Sequence, residues 1–307
     1  MKIVDLHCDT VSETYNKIES LWENKCHFDI KRALKAGVVV QFFALFTMPA
    51  DCNTALRKIL KQLDKLYQEM ERYSDYIYPV FKAEDIDIEE NHQKIGGIIH
   101  LEGGEALGTD PEILRTLYRL GLRSLGLTWN QRNYLADGVA EGEGAGGLSL
   151  KGREILKEMN RLGIILDLSH ISEKAFFDAL EYCEKPLMVT HANAQAVCNH
   201  CRNLSDRQLK TLADHGGVVG LNQVSSFVKE GKANIDDFLD HAVYIADLIG
   251  SEFIALGSDF DGAENIVLPG VEGYMEMEQH LYRRGFNKEE AEMILGANAL
   301  RVIKTVL

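Results

Sequence analysis

Residues 5–10 read DLHCDT, with Asp5, His7 and Asp9 at alternate positions of a stretch that also holds Ile3, Val4, Leu6 and Val11. The apolar flanks predict a strand, and alternate side chains of a strand share one face. Polar groups buried on one face cost roughly a few kcal/mol each unless they are paired or ligate a metal. The same situation recurs along the chain. Glu102 closes GGIIHLE, His170 follows GIILDLS, His191 closes PLMVTH and Asp259 closes FIALGSD. Imidazole and carboxylate, with no thiolate, suit Zn²⁺, Mn²⁺ or Fe²⁺. Cys8 lies between His7 and Asp9 but belongs to the opposite strand face. Five ligands (His7, Asp9, Glu102, His170 and His191) are too many for one open tetrahedral site. They suit two ions about 3.5–4 Å apart. Glu102 is the natural bridge, with His7 and Asp9 on one ion and His170 and His191 on the other. Asp259 is preferred to Asp261 because it lies nearer its strand end. His100 shares a strand face with Glu102 and reads as core. His27, His92, His200, His215, His241 and His280 fall in loops or helices and are not taken as ligands.

These residues need elements that bring them to one place. Eight short apolar runs supply candidate buried strands: 3–7, 37–46, 96–102, 123–129, 163–169, 186–191, 217–223 and 253–259. YPVF at 78–81 is an extra run left outside the barrel. Amphipathic stretches alternate with the runs. Asn53 is the expected N-cap of a long helix, and Ser149, Ser172 and Ser205 open three more, the last with the capping-box pattern SDRQ. The stretch from Asn234 ends at Gly250, a natural helix stop. This order predicts a (β/α)8 TIM barrel of metal-dependent hydrolase type, one catalytic domain over 1–307. A doubly wound open sheet is the competing architecture. It would want G-x-G-x-x-G after an early strand, and GEGAGG at 142–147 does not match. Those glycines read instead as a mobile active-site loop.

Composition narrows the partners. The chain has 307 residues, 47 acidic against 33 basic, and a net charge of −14. Such a balance opposes nucleic acid or an anionic membrane as the main partner. The start lacks the basic and apolar segments of a signal peptide. The longest apolar stretch, GVVVQFFALFTM, is too short to span a bilayer. Six scattered cysteines favour reduced thiols and a cytoplasmic setting. The close pair in CNHC, Cys198 and Cys201, has no second C-x-x-C and reads as structural.

The motifs DLHCDT, HLEGGEAL, GLTWNQRNYLADG, DLSHIS, VTHANAQAVCNHCRNLSD and GSDFDG, in that order, resemble the renal (membrane) dipeptidases, zinc enzymes of the amidohydrolase-like barrel class. The resemblance spans nearly the whole chain. It implies two Zn²⁺ per chain, on the five ligands above, with a shared water between them. It implies that Asp259 handles the proton of that water and that Arg202 binds the terminal carboxylate of a small dipeptide. Dipeptides with a C-terminal D-residue are implied as substrates, and dimerisation is implied by the family habit alone. Two departures stand out. Trp129 occupies the place of a histidine thought to steady the oxyanion, and Gln223 and Val224 stand where a tyrosine is expected. Trp129 is therefore expected to touch substrate. Another binuclear hydrolase, acting on a lactone, cyclic amide or phosphoester, remains the alternative. A barrel that binds metal or peptide without turnover is the third reading.

Overall fold

The computed structural model describes residues 2–49, 53–86 and 94–307. Nine parallel strands form one sheet: β1 (Ile3–Cys8), β2 (Val38–Phe46), β3 (Ile77–Pro79), β4 (Ile95–Glu102), β5 (Leu122–Gly126), β6 (Ile165–Asp167), β7 (Met188–Val189), β8 (Val218–Leu221) and β9 (Ile254–Leu256). β1 pairs with β9, and β2 pairs with β4, so eight of them close into a barrel. The eight runs read from the sequence each supply one of these strands. YPVF supplies the ninth. Ile77–Pro79 pairs with Ile95–Gly97 of β4, below the point where β5 joins the same edge.

The strands are buried because every one is wrapped by helices, and their apolar runs reflect this. Several helix starts show the expected capping chemistry. Ser149, Ser172 and Ser205 each accept a backbone N–H from the first turn, and Ser205 with Gln208 completes a capping box. Asn234 caps Ile235–Ile249, and Gly250 ends it with φ 101°. The long helix is Ala55–Arg72, and its N-cap is Thr54 rather than Asn53, without a side-chain cap bond. Its hold comes from further along. Gln62 Oε1 accepts the Phe46 N–H at 3.0 Å, and its Nε2 donates to the Phe46 carbonyl at 2.8 Å. That bond pair ties the helix to the last residue of β2.

Gly142–Gly147 departs from expectation. Residues 139–144 form a 3-10 turn. Asp137 accepts the Gly146 N–H and is itself held by Arg132, while its N–H donates to the Gly147 carbonyl at 3.2 Å. The segment contributes nothing to the wall of the cavity over the barrel mouth. Asp137 thus fastens the end of the glycine stretch, which stands outside the cavity wall.

Candidate active site

Parallel strands deliver the residues at their C-terminal ends to one rim, and all the singled-out residues leave the barrel there. Asp9 comes directly after β1, Glu102 ends β4, and His170 and His191 lie just past β6 and β7. Asp259 comes three residues after β9. Side chains of His7, Asp9, Glu102, His170, His191 and Asp259 converge, each at most 8 % exposed. Glu102 lies between two donor sets. Its Oε1 is 2.9 Å from His170 Nε2 and 3.7 Å from His191 Nε2, while its Oε2 is 3.6 Å from His7 Nε2. His7 Nε2 in turn lies 3.2 Å from Asp9 Oδ2. The Nε2 atoms of His170 and His191 are 2.8 Å apart.

Two of the three imidazoles are aimed by hydrogen bonds at Nδ1, and His7 Nδ1 has none. His170 Nδ1 meets Asn130 Oδ1 at 2.8 Å, and His191 Nδ1 meets the Thr190 hydroxyl at 2.8 Å. The Thr190 hydroxyl donates to Asp167, at 2.7 Å. Asp5 stands behind His7, accepting the Ser258 N–H and hydroxyl at 2.8 and 2.6 Å. Burial pushes Asp5 up to about 6, against those hydrogen bonds. His100 is fully buried, as expected of core, with Nδ1 on the Ser124 hydroxyl at 2.9 Å.

The electrostatics describe a site crowded with donors and short of cations. Burial pushes Glu102 up to about 8, and the nearby Asp9 charge adds to this. Asp259 is raised by burial too, with Asp9 again contributing. His170 and His191 fall well below the usual imidazole range, chiefly through burial. His7 is also penalised by burial, but the Glu102 and Asp9 carboxylates outweigh that and raise it. Imidazoles and buried carboxylates around one point are the donor types a divalent ion takes, and it would bind them with His7 and Glu102 deprotonated. The donor set therefore fits a metal.

Backbone and glycine geometry carry the same emphasis. His170 and Asp259 have φ of 63° and 60°, the left-handed region that non-glycine residues rarely occupy. Gly262 has to be glycine, because a Cβ there would lie 2.1 Å from Asp259 Oδ1 and 2.6 Å from Asp9 Oδ2. Asp261 is otherwise engaged. Its carboxylate accepts the Thr10 hydroxyl at 2.5 Å and the His27 N–H at 2.7 Å. His241 is locked between the Ala194 N–H and the Val228 carbonyl, and His92 lies outside the described residues.

A cavity of about 540 Å³ opens over this cluster, with Asp9, Glu102, His170 and Asp259 at its floor. Trp129 and Phe46 form a wall, their rings 5.4 Å apart, and the Trp129 ring lies 5.8 Å from that of His170. Val224 lines the cavity, whereas Gln223 is turned inward to Tyr274 and the Leu268 backbone. Arg202 is 4 % exposed and donates to the His191 carbonyl at 3.1 Å, while its Nε has no hydrogen-bond partner. Asn222 was not among the residues singled out by sequence. It comes directly after β8 and donates to Asp259 Oδ2 at 2.8 Å. Asn193 holds Asn222 from both sides of its backbone, at 2.9 and 3.1 Å. The one available signal was position, a polar residue at the end of an apolar run.

The chain matches the model of the membrane dipeptidase family, peptidase family M19, over residues 1–307. It belongs to that family. Dipeptidase tcpJ of Claviceps purpurea is 32% identical over 91% of this chain and 69% of its own. An uncharacterized dipeptidase of Schizosaccharomyces pombe is also 32% identical, over 99% of this chain and 80% of its own. Among solved structures, a metallopeptidase of Rhodobacter sphaeroides, liganded with a phosphinate mimic of the dipeptide L-Ala-D-Ala, superposes with a TM-score of 0.92. It is 28% identical, with 100% of this chain and 99% of that one covered. As an M19 member the protein is a metal-dependent dipeptidase with an amidohydrolase-type barrel. Cys8, Cys26, Cys183, Cys198 and Cys201 are free thiols; Cys52 lies outside the described residues. No helix among the described residues is long and apolar enough to cross a membrane.

Proposed function

We propose that the protein is a binuclear zinc dipeptidase that cleaves small dipeptides, including those with a C-terminal D-residue. One observation carries the reading: the two oxygens of Glu102 are directed to two separate donor sets, Oε1 to His170 and His191 and Oε2 to His7. His7, Asp9 and Glu102 would hold one ion, and Glu102, His170 and His191 the other. When bound, the pair supplies Lewis acidity and an acidified water at neutral pH.

The remaining work falls to the chain. Asp259 accepts a proton at its carboxylate and returns it to the leaving amine, and its raised basicity suits both transfers. Asn222 fixes one of its oxygens, which limits the directions in which it can work. Arg202 offers a buried guanidinium with an unpartnered Nε, suited to a substrate's terminal carboxylate. Trp129 lines the cavity beside His170 and sets an indole where the family's histidine would stand. The D-residue at the C-terminal side is supported by the L-Ala-D-Ala mimic in the Rhodobacter sphaeroides relative.

The test compares zinc-loaded and chelator-treated protein on L-Ala-L-Ala, L-Ala-D-Ala and their C-terminal amides, with metal content measured in parallel. We expect two zinc ions per chain, cleavage of the free acids, and loss of activity on chelation. Cleavage of the amides at equal rate would remove Arg202 from its role. No cleavage of any dipeptide by the two-metal protein would overturn the reading.

A further inference from the structure

We infer that Lys61 makes this enzyme select dipeptides with an acidic side chain on the N-terminal residue. The inference rests on the dipeptidase reading above and deepens it. Helix Ala55–Arg72 is fastened through Gln62 to both backbone groups of Phe46, and Phe46 is the register partner of Glu102 across β2 and β4. Two hydrogen bonds and one strand pairing thus connect the helix to the centre of the site. Lys61 immediately precedes Gln62, and Lys58 lies one turn earlier on the same face. Both lysines line the cavity above Asp9, Glu102 and Asp259.

Acidic groups of the wall are already engaged elsewhere. Glu13 is paired with Lys17 at 2.7 Å, and Asp261 with His27 at 3.2 Å. Lys61 has no ion-pair partner among the described residues, and Asp64, one turn on, accepts from Gln68 instead. Lys61 also lines a neighbouring depression with Tyr15 and Arg57, which gives a longer side chain room and a second cation.

Barrel geometry sets which end of the substrate Lys61 meets. From β7 to β2 the closure passes β8, β9 and β1, four steps around a ring of eight. Arg202 lies past the end of β7, buried against the His191 carbonyl, and Lys61 lines the cavity over β2, so the two cations lie on opposite sides of the barrel axis. A dipeptide whose C-terminal carboxylate is at Arg202 therefore presents its N-terminal residue to Lys61. A carboxylate there gains a charge-assisted hydrogen bond that its amide analogue does not.

The experiment compares kcat/KM for L-Glu-L-Ala and L-Gln-L-Ala, and for L-Ala-L-Glu and L-Ala-L-Gln, in the zinc-loaded wild type, Lys61→Met and Lys61→Glu. At low salt the wild type should favour L-Glu-L-Ala over L-Gln-L-Ala by about three- to tenfold, mainly through KM. The ratio should fall to about one in Lys61→Met and below one in Lys61→Glu, and raising the salt to about 0.5 M should shrink it in the wild type. Each variant carries its own neutral reference, so altered folding or zinc content cancels in the ratio. Cleavage of all four dipeptides with a Glu/Gln ratio near one, a ratio unmoved by either substitution, or a preference confined to the C-terminal position would overturn the inference and leave the dipeptidase reading intact. Cleavage of none of them would overturn both.

Discussion

The two sides of the barrel are built differently. On one side β1, β2 and β4 run for six, nine and eight residues, and β2 and β4 pair over seven consecutive positions. On the other, β6, β7 and β9 have three, two and three residues, and β6 meets β7 through a single pair. Buried side chains take the place of the missing ladder there. Asp167 alone accepts four hydrogen bonds, from the Ser169 and Thr190 N–H groups and both hydroxyls, at 2.7–2.9 Å. His170, His191 and Asp259 leave from this side, and two of them carry the left-handed φ. A backbone ladder holds strands straight and repeats itself. Side-chain bonds can stop a strand early and turn the next residue inward, which is what these positions at the barrel mouth require.

The largest test of this contrast is Asp167→Ala. It leaves four buried donors without their acceptor and should cost about 3–5 kcal/mol in urea unfolding of the metal-stripped protein. Ile98→Val, fully buried in β4 where the ladder is long, should cost about 0.5–1.5 kcal/mol. Equal losses from the two would refute the division of labour.

A smaller effect should come from Asn222→Ala. Asn222 touches Asp259 on the short-strand side, so kcat should fall about 10–100-fold with zinc content near wild type. An unchanged kcat would show that Asp259 needs no such support.

The smallest effect lies outside both sides, on helix Leu150–Leu162. Glu158 is held down to about 2 by its hydrogen bond to Arg161, against a burial penalty, and then by Arg115. A depressed carboxylate contributes stability above its ordinary pKa of 4.5 and loses it as pH falls toward 2. The Tm gap between wild type and Glu158→Gln should be about 1 °C at pH 6–7 and should close below pH 4.5. A gap that widens in acid would contradict the assignment.

The same contrast governs how much was legible in the sequence. Apolar composition reports burial, and every run was buried, so the eight barrel strands and the residues at their ends could be read directly. Composition does not report hydrogen bonding between strands. The runs 163–169 and 186–191 therefore looked like full strands, but the ladder covers only Ile165–Asp167 and Met188–Val189. Asp167, Ser169 and Thr190 are unremarkable letters until their partners across the barrel are known. Asn222 and Asn193 were invisible for the same reason, since their bonds join residues 29 and 37 positions apart. His7, Asp9, Glu102, His170 and His191, which the structure brings together, could be singled out because polar residues recur at the ends of the apolar runs. Gly142–Gly147 was read from composition as an active-site loop, yet none of it lines the cavity.

The clasp between Asp5 and Ser258, 253 positions apart, bears on how the protein is made. β1 precedes the other eight strands in the chain, yet one of its two neighbours is β9, which follows them all. Until residue 258 is available the sheet stays open, with β1 and β8 each presenting an unpaired edge to other nascent chains. Chain closure over such a separation is slow compared with local helix formation. Barrel closure thus waits for β9, and a chain lacking it keeps those two edges open.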